Sequence, residues 1–222
     1  MKKGPTELVF ILDRSGSMSG LESDTIGGYN SLLKKQKKED GECIITTVLF
    51  DDKYELLHDR INIRGVAPIT EREYFVRGMT ALLDAIGRTI NKIVNAQMHT
   101  TEDQRPEKTM LVIITDGMEN ASREYGYDKV RKMIEYQKEE YGWEFIFLGA
   151  NIDAVETAAR FGIAKDRAAD YLADSEGIGL NYDVVSEAVT DFRAGRPIYA
   201  NWKEQIDEDY RKRGRKKQRK PR

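Results

Sequence analysis

A three-layer α/β/α sandwich is the fold class that the chain predicts, with a mostly parallel sheet and one antiparallel edge strand. Three observations lead there. Apolar runs of strand length recur at residues 8–12, 42–50, 110–115 and 143–148. Segments with apolar residues at helical spacing separate most of them, and strands that alternate with helices build a sheet covered on both faces. Asp51 and Asp52 then turn the chain into a short run, 54–57, that pairs back as an antiparallel hairpin.

Taken in order, residues 7–12 form the first strand, apolar enough to be central and buried. Ser23 or Asp24 caps a helix to about residue 38, with Tyr29, Leu32 and Leu33 as its inward stripe and lysines on its solvated end. Residues 42–50 and 54–57 make the hairpin, and 58–79 a long connection of the kind that often carries function. Thr80 opens a helix to about residue 97, where Leu83, Ile86, Ile90 and Val94 recur at helical spacing. A polar loop leads to the strand 110–115, and a second polar loop, 117–126, to a helix ending near Tyr141. Strand 143–148, a helix to Phe161, a short strand at 169–172 and a helix over 181–192 complete a domain of residues 1–195. Residues 196–222 are an extension, in which Trp202, Ile206 and Tyr210 give a short helix one apolar face, expected to pack on its own domain. The basic tail after it is expected to be disordered.

The chemistry concentrates where apolar runs stop. After Leu12 the chain reads Asp13-Arg14-Ser15-Gly16-Ser17, which sets three oxygen-bearing side chains at alternate positions. Alternate residues of extended chain point the same way, so Asp13, Ser15 and Ser17 can converge beyond the strand's C-terminal end, with Arg14 pointing away. Ligands of open α/β sheets bind at that edge. Hard oxygen donors without Cys or His suit Mg2+ or Mn2+ rather than zinc or copper.

The Asp-x-Ser-x-Ser pattern behind a buried strand resembles the von Willebrand factor A (VWA) domain, where it opens the metal-ion-dependent adhesion site, or MIDAS. Two further fragments extend the resemblance: Thr80 in the Gly-containing stretch Arg77-Gly78-Met79-Thr80, and Asp116 at the end of Met110-Leu111-Val112-Ile113-Ile114-Thr115-Asp116. It covers roughly residues 6–195, and the stretch 145–153 is similar to stand-alone bacterial or phage VWA proteins. The resemblance implies a Rossmann-like sheet and a metal held directly by the hydroxyls of Ser15, Ser17 and Thr80. Asp13 and Asp116 would sit close to the ion, through water or in direct contact. Neutral hydroxyl ligands leave such an ion electrophilic, with a position open for an Asp or Glu of a protein partner. Asp84, four residues after Thr80, is either an outer acceptor for the site or a solvated or capping acid. Glu119 and Asn120 belong to the rim or are merely polar loop, and Gly16, Gly78 and Gly117 allow close backbone.

Charge and cysteine content set further bounds. The net charge of −2 hides an asymmetry, because residues 211–222 carry nine Lys or Arg and no acid, leaving −11 on the remainder. The single cysteine, Cys43, excludes an internal disulfide and reads as a small core residue; His58 and His99 alone make no zinc site. No stretch resembles a signal peptide or a membrane span, so a cytoplasmic protein is expected, without membrane contact. The leading expectation is a non-enzymatic, metal-dependent protein-binding module. A metal-assisted phosphatase or hydrolase is weaker, because Ser15 occupies the place of the second Asp in an aspartyl-nucleophile pattern. Nucleic-acid contact through 211–222 is the other alternative: the tail is cationic but has no aromatic residue for stacking.

Overall fold

The computed structural model describes residues 4–218. Six strands form one sheet in the order β3-β2-β1-β4-β5-β6. These are β1 (Thr6–Asp13), β2 (Cys43–Phe50), β3 (Tyr54–Asn62), β4 (Lys108–Thr115), β5 (Glu144–Ala150) and β6 (Ala168–Tyr171). All pair in parallel except β3, which runs antiparallel to β2 at the edge. The helices are α1 (Glu22–Gln36), α2 (Leu82–Met98), α3 (Tyr127–Tyr141), α4 (Ala154–Arg160), α5 (Ser175–Ala194) and α6 (Glu204–Gln218).

All eight residues of β1 are buried, as a central parallel strand covered on both faces requires. Its alternation divides the core. Leu8, Phe10 and Leu12 face α1 and α5, together with Tyr29, Leu32, Val185 and Val189. Val9 and Ile11 face α2 and α3, with Leu82, Ile86, Ile90, Val130 and Ile134. Cys43 is buried as a small core side chain.

Three elements depart most from their sequence-based bounds. β3 reaches Asn62 rather than Leu57, because an edge strand exposes one side and tolerates the polar His58-Asp59-Arg60 stretch, with an irregular register around Thr47. α5 begins six residues before Asn181: the Asp174 side chain caps it by accepting from the Gly177 amide, 3.0 Å away. The glycine there is a close-approach residue, since a Cβ would fall 2.1 Å from the Leu172 carbonyl oxygen. α6 runs to Gln218, through the first part of the basic tail; residues 219–222 of that tail lie outside the described residues. Ile206 of α6 is buried in the α1/α5 core, whereas Trp202 precedes the helix and donates to the Asp166 carbonyl, and Tyr210 is exposed. Among the described residues no helix is long and apolar enough to cross a membrane.

β1 lies between β2 and β4, so the chain order reverses direction beside it. Ligands of open α/β sheets bind at such a switch point, beyond the strands' carboxyl ends. Asp13 ends β1 and Asp116 directly follows β4.

Candidate metal centre

The five predicted residues converge at that edge. Thr80 Oγ1 donates to Ser15 Oγ over 3.0 Å, and Ser15 Oγ lies 3.0 Å from Ser17 Oγ, so three hydroxyls form a continuous chain. Ser15 and Thr80 are buried and Ser17 is exposed, which leaves the cluster one open side. Asp13 Oδ1 accepts from the Ser15 amide at 2.7 Å and Oδ2 from the Thr115 hydroxyl at 2.5 Å. Asp116 is 1% exposed, and neither carboxylate oxygen has a hydrogen-bond partner.

Among the described residues Asp116 is the only carboxylate in that state, although Asn181 also has both side-chain polar atoms unpaired. Buried polar atoms are nearly always paired, and an unpaired one carries its full desolvation cost. Burial raises the Asp116 carboxyl above its ordinary value; the Ser17 hydroxyl acts the other way without reaching hydrogen-bond geometry. Burial also pushes Asp13 up to about 6, against the hydrogen bonds from Thr115 and Ser15. Gly117 seals the floor: a Cβ there would lie 2.8 Å from Ser17 Oγ and 3.0 Å from Thr80 Oγ1. Gly78 is needed for a second reason, its φ of +68°.

Of the residues that hold this arrangement, Asn120, Asp84 and Glu119 are candidates from the sequence, whereas Tyr74 and Tyr171 have no sequence signature. Asn120 clamps Thr80: its Oδ1 accepts from the Thr80 amide at 2.9 Å, and its own amide donates to the Thr80 carbonyl at 3.0 Å. Tyr74 donates to the carbonyl of Asp13 and Tyr171 to that of Thr115, pinning the ends of β1 and β4 from below. Asp84 makes no hydrogen bond to Thr80. Its carboxylate accepts from the amides of Arg123, Glu124 and Tyr125 at 2.9–3.0 Å, and so anchors the β4–α3 loop to α2. Glu119 completes that anchor by accepting from the amides of Leu83, Ala121 and Ser122.

Arg14 does point away from the hydroxyls. It is fully buried and donates to Asp51 at 3.2 Å and Glu55 at 2.6 Å. Asp51 is therefore more than a turn residue: besides accepting from the Lys53 amide it takes a 2.6 Å bond from Arg77. Burial would raise the Asp51 carboxyl, but Arg77, the Lys53 amide and Arg14 hold it below its ordinary value. The backbone follows the same path, with the Arg77 amide donating to the Arg14 carbonyl and the Gly16 amide to that of Gly78. This ion-pair group braces the Ser15–Ser17 loop against the segment that carries Thr80.

Solved structures similar to this chain include von Willebrand factor type A proteins. One solved structure, a von Willebrand factor type A protein from Catenulispora acidiphila, superposes with a TM-score of 0.57 at 11% identity, over 83% of this chain and 42% of that one. The fold is VWA-like. Proximal thread matrix protein 1 from the mussel byssus, in a structure with a zinc-occupied MIDAS motif, gives a TM-score of 0.53 at 12% identity, over 85% of this chain and 46% of that one. In sequence, the chain is 26% identical over 204 residues to inter-alpha-trypsin inhibitor heavy chain H3 of Mesocricetus auratus, covering 87% of this chain and 22% of that protein. The chain thus spans less than half the length of each of these VWA-like relatives. No family model matches the chain.

Proposed function

We propose that this chain is a metal-dependent protein-binding module that captures an acidic side chain of a partner. Ser15, Ser17 and Thr80 would hold a divalent ion through their hydroxyls, with Asp13 and Asp116 as the balancing carboxylates. The observation that carries the reading is the buried Asp116 carboxylate with two unpaired oxygens, set beside a cluster of hydroxyls. A donor set made only of oxygens, with few charges, favours Mg2+ or Mn2+. A bound ion would supply Lewis acidity to a partner's carboxylate, and the exposed Ser17 leaves the cluster accessible to it. The chain's own residues do the rest: Asn120 and the Arg14–Asp51–Arg77 group hold the loops in register, and Gly117 keeps the floor clear. The zinc-occupied MIDAS of the byssus protein supports metal binding by a site of this type. A non-enzymatic role goes with the reading, since Ser15 stands where an aspartyl-phosphate mechanism needs a second carboxylate; the bacterial or phage type rests on the resemblance over residues 145–153, and a cytoplasmic location is part of the same proposal.

Calorimetric titration with Mg2+ and Mn2+, beside Asp13→Ala and Thr80→Ala, tests the reading. Binding weakened by both substitutions is expected, because the two residues come from separate segments. No binding even with acetate present, offered as a stand-in for the partner's carboxylate, would overturn it. Turnover of generic phosphate esters, lost in Asp13→Ala, would overturn the non-enzymatic part.

A further inference from the structure

Two clefts flank the hydroxyl cluster. The first, of about 440 Å3, lies between the β2–β3 turn and the 120–124 loop, and Met79 and Asn120 line it beside Thr80. The second, of about 320 Å3, lies between Gly117–Glu119 and α4. Met79 is 53% exposed and Met118 72%, so each cleft meets the site at an exposed, adaptable apolar side chain.

The clefts differ in charge. The first is formally balanced, with Lys53, Arg88 and Arg123 against Asp52, Asp84 and Glu124. Two of its acids are spent: Glu124 pairs with Arg88 at 2.5 Å, and Asp84 is taken by three backbone amides. The third, Asp52, is exposed close to Gly78, forms no ion pair among the described residues, and offsets one of the remaining cations. Lys53 and Arg123 are exposed, and their side chains have no hydrogen-bond or ion-pair partner among the described residues. In the second cleft Glu119 is likewise taken by three backbone amides, which leaves Asp153 and Glu156 against one cation, Arg160, whose guanidinium sits 3.6 Å over the Tyr127 ring. Unspent positive charge therefore faces one side of the site and net negative charge the other.

We infer that the partner presents an extended segment of definite charge polarity across this edge. One acidic side chain enters the metal site, a second acid lies against Lys53 and Arg123, a basic side chain lies against Asp153 and Glu156, and apolar residues cover Met79 and Met118. This rests on the metal-dependent reading above and adds to it the partner's composition and its orientation. The clefts supply orientation chiefly through charge, because misplacing like charges is what excludes the reversed segment.

The test is a selection of random linear peptides, displayed on phage, on the Mg2+-loaded protein with elution by EDTA, run beside calorimetric Mg2+ titration. Eluted clones should share a central acid with an acid on one side and a base on the other. A selected peptide should lose roughly tenfold in affinity on Lys53→Glu/Arg123→Glu, and similarly on Asp153→Lys/Glu156→Lys, the scale of two reversed exposed ion pairs. Mg2+ affinity should be unchanged in both variants. Clones without charge polarity, clones indifferent to both variants, or no clones despite intact Mg2+ binding would overturn this inference alone. Absence of Mg2+ binding, with acetate present as well, would overturn it together with the metal-dependent reading.

Discussion

Replacing Asp116 with Asn should stabilise the metal-free protein and abolish its response to Mg2+. The wild-type carboxylate is 1% exposed with both oxygens unpaired. A buried unsatisfied polar group costs about 1–3 kcal/mol, more when charged. Asn keeps the shape and removes the charge but leaves an amide in the same place, so a net gain of about 1–2 kcal/mol at neutral pH is the reasonable share of that cost. The sign follows from the raised carboxyl pKa, which marks the ionised form as the one the fold disfavours. The gain should fade in acid as the wild-type side chain protonates. In a chain of this size 1 kcal/mol moves Tm by roughly 2–4 °C, so metal-free Asp116→Asn should melt about 2–8 °C higher. Wild type at a Mg2+ concentration 100-fold above Kd should gain about 2.7 kcal/mol, or roughly 5–11 °C, and the variant nothing. Thermal unfolding with and without Mg2+ at pH 7.5 reads both effects. A variant that melts several degrees lower without metal, yet still shifts with Mg2+, would refute the reasoning: the carboxylate would then be a structural acceptor and no ligand.

Other consequences are as direct. Mg2+ affinity should fall as pH drops through about 6, where the buried Asp13 carboxyl takes up its proton, and calorimetry in buffers of different ionisation enthalpy should detect proton release on binding. Without metal the same raised pKa works in the opposite direction: the Asp13 contribution favours the fold in acid and is lost as pH rises from 3.8 to about 6, a trend that urea unfolding at several pH values would register. Asp84→Ala strips the acceptor from three loop amides and should cost about 2–3 kcal/mol, with faster hydrogen exchange at residues 123–125. Arg14→Met should cost about 3 kcal/mol in urea unfolding, the low end for breaking a buried pair, because Arg77 still faces Asp51.

How much of this was legible in the sequence varies with the range of the interaction. The strands announced themselves because parallel strands buried on both faces must be continuously apolar, and β1 and β4 are. Site residues at strand ends were legible for the same reason: Asp13 and Asp116 stand where apolar runs break off. Edges were less clear. β3 looked four residues long because its far half is polar, and only its pairing with β2 makes it a strand. The start of α5 was hidden by Gly177 and Gly179; Asp174 capping and the close Leu172 carbonyl explain the first of them.

By itself, then, the sequence determined the layers, the alternation that splits the core, and the alternating Asp13, Ser15 and Ser17 at the end of β1. These are local properties, written in spacing and apolar runs; Thr80 and Asp116 were added by the resemblance to VWA domains. Only the tertiary structure decided what supports them. Asn120 reaches Thr80 across 40 residues, Tyr74 reaches Asp13 across 61, and Arg14 finds Asp51 across 37. Asp84, in the first turn of α2 and four residues after Thr80, turns instead to a loop about 40 residues on. Pairings of that kind have no periodicity to betray them, because a hydrogen bond depends on distance in space and the chain's path between its partners leaves no mark on either one.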